Sequence, residues 1–262
     1  MLYVPGDKPR ALEKARTLPC DAILLDLEDA VAPEAKETAR RTVAEAVRAG
    51  GYGRRELILR VNGVASDWAE ADLALAAELP VDGVLIPKVE DEGAVRHVEA
   101  LVPGKGLWCM IETPRGVLCA LDIGGASERL AGFVAGTNDL AKELRARHVP
   151  DRTPLITSLS LILLAARAHG LAAIDGVHLG LDDPEGFEAA CRQGVELGFD
   201  GKTVVHPSTI EAANRIFGPD PAEVAGRGRS WRPGRRRGRK ARASRGSAGR
   251  WSSNCMWTRP SG

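Results

Sequence analysis

The chain has no Cys-x-x-Cys pair, no GxxxxGK[ST] or GxGxxG glycine motif, no Ser-His-Asp order and no apolar run approaching the ~20 residues that cross a bilayer. Each absence removes a class of function. The five cysteines (Cys20, Cys109, Cys119, Cys191, Cys255) fall at no zinc-ligand spacing, and four of them sit among apolar neighbours. A thiol there behaves as a small core residue, so reduced cysteines in a cytoplasmic protein are expected. Met1 leads straight into a strand-like stretch rather than a signal sequence, which again points to a soluble, intracellular chain with no membrane partner. Neither a P-loop nor a Rossmann site has support.

Residues 226 to 262 lack any carboxylate, yet they carry twelve Lys or Arg and three Trp. The whole chain holds 36 basic and 35 acidic residues, so residues 1 to 225 keep 24 bases against 35 acids. A near-neutral total therefore hides an acidic body. With 44% hydrophobic residues in 262, that body is large enough for one core, and α/β barrels often reach this length as a single domain.

Eight β-rich runs alternate with Ala-, Leu- and Glu-rich stretches of helical period: residues 2–6, 22–29, 56–62, 83–89, 107–113, 132–139, 172–178 and 201–207. Eight such units predict a (β/α)8 barrel over residues 1–221 and a separate tail over 222–262. Each run opens apolar and closes on a polar or special residue: Pro5, Glu28, Arg60, Lys88, Glu112, Asp139, Asp175 and His206. Active sites of such barrels lie at the C-terminal strand ends, so these residues are expected to ring one mouth, although any one of them alone could be a solvent-facing strand end.

Glu112 in "IETPRG" and Asp139 in "GTND" close neighbouring strands, and two close carboxylates call for a cation. Two hard oxygen ligands suit Mg²⁺, whose other positions go to water and substrate; an ordinary surface ion pair is the alternative. Arg60 is a fixed cation able to stabilise an oxyanion or enolate, or else the ion-pair partner of Asp26 or Glu28. A helix starting near Leu140 would turn backbone N–H groups of the "AGTND" loop toward a carboxylate. The "VPGDKPR" turn offers Lys8 and Arg10 to a phosphate, or simply to solvent. His178 and His206 are possible acid–base groups, but His206 before Pro207 is read as holding its loop by hydrogen bonds.

Seven ordered segments, "MLYVPGDKPRALEKA", "DAILLDLEDAVAPEAKETAR", "LILRVNG", "GVLIPKVE", "IETPRGV", "GTNDLAKEL" and "LGFDGKTVVHPSTI", resemble the citrate lyase β-subunit-like branch of the HpcH/HpaI aldolase superfamily over residues 1 to about 217. The resemblance implies a Mg²⁺-dependent carbon–carbon lyase acting on a β-hydroxyacyl thioester, citryl-, malyl- or citramalyl-CoA or an acyl-carrier equivalent, with an oxo acid as the other product. It implies a homotrimer or hexamer. It assigns Glu112 and Asp139 to the metal and Arg60 to the oxyanion, with Glu28 and Asp29 orienting Arg60 or a water. It further implies substrate contacts at Gly136, Thr137, Asn138 and Pro114, and CoA contacts at Pro5, Gly6, Lys8 and Arg10. An aldolase acting on free oxo acids without CoA is the alternative within enzymes.

Two features depart from that pattern. The Arg-Ser pair that usually precedes the first motif is missing, which suggests a misassigned start. The closing lid segment is replaced by the basic tail. A nucleic-acid arm would explain the tail's charge. Frame-shifted GC-rich coding explains the Arg, Gly, Pro, Ala, Ser and Trp excess as well: "WSSNCMWTRPSG", back-translated with G or C in third positions, with Ser252 as TCG and Ser253 as AGC, and read from each codon's third base, gives Val-Glu-Gln-Leu-His-Val-Asp-Ala-Ala-Glu-Arg. Residues from about Gly226 are therefore read as out of frame and disordered, with nucleic acid the lesser reading.

Overall fold

Residues 1–219 are described by the structure, a computed structural model. In chain order the elements are β1 (Leu2–Pro5), α1 (Pro9–Ala15), β2 (Ala22–Asp26), α2 (Lys36–Ala49), β3 (Glu56–Arg60), α3 (Ala69–Glu78), β4 (Gly83–Ile86), α4 (Glu92–Leu101), β5 (Gly106–Ile111), α5 (Pro114–Leu118), α6 (Ala120–Gly124), β6 (Leu130–Ala135), α7 (Thr137–Glu143), α8 (Ile156–His169), β7 (Ala172–Asp175), α9 (Pro184–Leu197), β8 (Gly201–Lys202) and α10 (Ile210–Phe217). The strands form one parallel sheet in the order β1 to β8. It curls until its first strand meets the chain just past its last: Leu2 bridges Val204, Tyr3 N–H donates to Val204 O at 2.9 Å, and Val204 N–H donates to Met1 O at 2.9 Å. The basic tail and the expected boundary at residue 221 lie outside the described residues. No helix among the described residues is long and apolar enough to cross a membrane.

Parallel strands covered on both faces read as continuous apolar runs, and β2 and β4 are buried along their whole length. Two cores result. One packs the helices onto the outside of the sheet, through residues such as Leu25, Leu59, Ile86 and Phe133. The other fills the inside with Leu24, Ile58, Leu85, Trp108, Met110, Val134 and Ile174. Side chains alternate between faces, so the inward row continues at every second residue. Leu24 is thus followed by Asp26, Ile58 by Arg60, Met110 by Glu112 and Val134 by Gly136. Strand periodicity by itself turns the polar residues toward the inside at the C-terminal end.

The strands end earlier than the sequence suggested. β8 has two residues rather than seven, and Pro87 follows β4 directly, so Lys88 and His206 lie in loops. Asp139 is not a strand residue but sits in the first turn of α7, which begins at Thr137 rather than near Leu140. Asp175, one residue past the inward Ile174, faces away from the mouth and is fully buried. There Arg152 grips it with two contacts of 2.8 Å, and Lys202 Nζ lies 3.0 Å away.

Candidate active site

A cavity of about 320 Å³ opens at the C-terminal end of the sheet. It gathers Pro5, Asp29, Arg60, Glu112, Gly136, Thr137, Asn138 and Asp139, together with Tyr3 and Asp26. Most of the residues singled out from sequence therefore meet in one place. Glu28 adjoins it through Arg60 and opens instead onto a neighbouring hollow shared with Asp29 and Lys88. Gly6 packs against β2, its N–H donating to Asp26 O at 2.8 Å. Lys8 and Arg10 are exposed, and Lys8 pairs with Asp7 at 2.7 Å. Pro114 opens α5 and does not line the cavity.

Arg60 and Asp26 are register partners on β3 and β2. Arg60 Nε donates to Asp26 Oδ1 at 2.7 Å and Nη2 to Oδ2 at 2.5 Å, while Nη1 lies 2.7 Å from Glu28 Oε2. The Tyr3 ring stacks beneath the guanidinium, 4.9 Å from its carbon. Burial alone would lower the Arg60 pKa, but Asp26, Tyr3 and Glu28 hold it above its ordinary value. The cation is permanent. Of its five N–H groups these contacts use three, leaving two for a ligand in the cavity. Arg60 is thus the ion-pair partner of Asp26 and Glu28 and also lines the cavity.

Glu112 is 3% exposed. Its Oε1 accepts the Lys88 main-chain N–H at 2.8 Å, and its other oxygen lies against Gly136, where any β-carbon would overlap the carboxylate. Burial, and then the charge of Glu28, push its pKa up to about 8. Lys88 adopts the left-handed backbone (φ 50°), and its ammonium is 2.8 Å from Glu28 Oε1, 3.5 Å from Asp139 Oδ2 and 3.9 Å from Asp29 Oδ1. Glu28, buried between Arg60 and Lys88, has its pKa raised by burial against the pull of both cations.

Five carboxylates (Asp26, Glu28, Asp29, Glu112, Asp139) thus face Arg60, Lys88 and the buried Lys36. Lys36 is spent on the Leu27 and Glu28 carbonyls and on Asn62 Oδ1, at 2.7, 2.8 and 2.7 Å. The excess of carboxylates over free cations, with Glu112 in no ion pair among the described residues and its pKa raised by burial, fits a hard divalent cation between Glu112 and Asp139. No group of three His, Cys, Asp or Glu side chains able to hold a metal occurs among the described residues, so such an ion would complete its shell with water and substrate oxygens.

His206 stands apart. It is exposed, with Nδ1 2.7 Å from Ser208 Oγ and accepting the Ser208 N–H at 3.3 Å, which is the loop-holding role expected of it. The sequence reading gave no role to Tyr3, Thr203 or Val177, all of which line the cavity. Tyr3 follows from parity two residues before Pro5; the other two come from loops that carry no period.

Known proteins are similar to this chain in sequence and fold. The chain is 52% identical over 224 residues to a (3S)-malyl-CoA thioesterase of Cereibacter sphaeroides, covering 86% of this chain and 78% of that one. It is 35% identical over 235 residues to the citrate lyase subunit beta of Escherichia coli, again covering 86% and 78%. The structure superposes with a TM-score of 0.74 on protein CitE of Mycobacterium tuberculosis in complex with magnesium, acetoacetate and coenzyme A, at 30% identity and with 88% and 87% of the two chains covered. The HpcH/HpaI aldolase/citrate lyase profile matches residues 1–207, and the chain belongs to that family.

Proposed function

We propose that this protein is an enzyme acting on the CoA thioester of a short β-hydroxy dicarboxylic acid of malyl type, with Mg²⁺ held by Glu112 and Asp139, and that it hydrolyses the thioester. One observation carries the reading: a single cavity gathers Glu112, Asp139, Arg60 and Asp29 in a chain 52% identical to a (3S)-malyl-CoA thioesterase. Bound Mg²⁺ would supply Lewis acidity toward the substrate's oxygens. The two free N–H groups of Arg60 stabilise the oxyanion that forms at the thioester carbonyl as water adds to it. Asp29, 61% exposed and 3.9 Å from its nearest cations, takes the proton from that water. The carbon–sulfur bond then breaks, and the thiolate leaves and is protonated. Glu28 acts through Arg60, fixing its orientation. Gly136, Thr137 and Asn138 receive the acid's far carboxylate, Pro5 borders the thioester, and Lys8 and Arg10 face the CoA phosphates, with Gly6 setting their turn and Pro114 holding the Glu112 loop from behind. We read the curled sheet as a (β/α)8 barrel that works as a homotrimer or hexamer.

A second reading is carbon–carbon cleavage into an oxo acid and acetyl-CoA, in which Arg60 stabilises an enolate instead. The 35% identity to a citrate lyase subunit beta favours it. Product analysis separates the two: malate with free CoA supports hydrolysis, and glyoxylate with acetyl-CoA supports cleavage. Turnover of the free hydroxy acid without CoA would overturn both.

A further inference from the structure

Three cations border the carboxylate cluster, and they differ in how firmly they are held. Arg60 and Lys36 are 7% and 6% exposed and are fixed by buried acceptors. The Lys88 side chain is 43% exposed, so its ammonium has an open path into water. Yet it bridges Glu28 at 2.8 Å and Asp139 at 3.5 Å, across the side of the cluster where Asp139 would turn toward a metal. The same residue donates its main-chain N–H to Glu112 at 2.8 Å. The left-handed backbone at φ 50°, unfavourable for a residue with a β-carbon, is what turns both donors to the mouth.

We propose that the Lys88 ammonium is a resident competitor for the divalent cation: it neutralises the Glu28–Asp139 side of the cluster in the metal-free protein and moves out to solvent when the metal binds. Its main-chain N–H keeps Glu112 in place in both states. Lys88 is thus a positioning residue, and it lets the carboxylates remain close together without metal while keeping metal binding reversible. The inference rests on the assignment of the metal to Glu112 and Asp139.

The test is Mn²⁺ binding to the full-length protein, followed by calorimetry and by the Mn²⁺ spin-resonance signal. Lys88→Met removes the ammonium. Lys88→Gly also removes it but suits the left-handed backbone and keeps the N–H to Glu112. Both variants should bind Mn²⁺ about ten-fold more tightly than wild type, or by about 1.4 kcal/mol. If only one of them folds, that one decides. A dissociation constant unchanged or raised in a folded variant would overturn the proposal, because removing an ammonium that competes for the same carboxylates must tighten the metal site. Glu112→Gln separates this failure from failure of the metal assignment: if wild type takes up no Mn²⁺, or Glu112→Gln binds it equally well, the assignment falls whatever Lys88 does.

Discussion

Arg60 stands directly across from Asp26 in the register of β3 and β2 and holds it in a two-point grip, Nε to Oδ1 at 2.7 Å and Nη2 to Oδ2 at 2.5 Å. That grip fixes the plane of the guanidinium and so the direction of its two remaining N–H groups. Arg60→Lys keeps the charge and loses the fork. Turnover should fall on the order of 10²-fold or more with modest change in metal affinity. Near-normal turnover in steady-state kinetics would reduce Arg60 to a structural partner of Asp26.

Gly136 gives a second test, because it lines the cavity directly against Glu112. A β-carbon there would overlap both the β-carbon and the carboxylate of Glu112, so in folded Gly136→Ala protein Glu112, the proposed metal ligand, should be displaced. Metal affinity, measured by calorimetry, should drop on the order of ten-fold. Unchanged affinity would show that Glu112 has room to move.

The raised Glu112 pKa fixes a sign. The ordinary value is 4.5 and the folded, metal-free value is about 8. Between these the folded protein keeps a proton that the unfolded chain has lost, so stability without metal falls as pH rises through that window. Metal affinity should rise over the same span, because the proposed ligand is the carboxylate. Denaturant melts from about pH 5 to about pH 8.5 should show the decline, and Glu112→Gln should flatten it. Stability that climbs with pH in the wild type alone would contradict the burial argument.

The inward row was legible because it needs only strand parity. Once the inner residues Leu24, Ile58, Met110 and Val134 are known to point one way, Asp26, Arg60, Glu112 and Gly136 follow. The family motifs pointed independently to Arg60, Glu112 and Gly136, though not to Asp26. Where strands stop was not legible, since Pro87 and the left-handed Lys88 end β4 by local backbone geometry rather than by composition. Asp175 closes its run as Glu112 does, but one residue out of phase, and parity turns it into the layer between sheet and helices. Lys88 was visible as a run's end and invisible as a bridge, because a left-handed lysine has no sequence signature.

Asp175 should accordingly be a stability residue. Replacing it with Asn leaves Lys202, whose side chain is fully buried, short of its counter-charge, and Arg152 loses its two-point partner. A loss of about 3–5 kcal/mol in denaturant unfolding is expected. The Mn²⁺ affinity of the folded variant should stay at the wild-type value, and a selective loss of metal binding would draw Asp175 into the site.

The central claim is that the cavity at the strand ends is a metal-dependent thioester site. Incubation of the full-length protein with (3S)-malyl-CoA, with Mg²⁺ and again after chelation, followed by mass spectrometry of the products, tests it most directly. Malate and free CoA are expected in equal amounts with Mg²⁺, with loss of both on chelation and in Glu112→Gln and Asp139→Asn. Thioester that survives intact, or that is consumed equally well after chelation and in both variants, would contradict it.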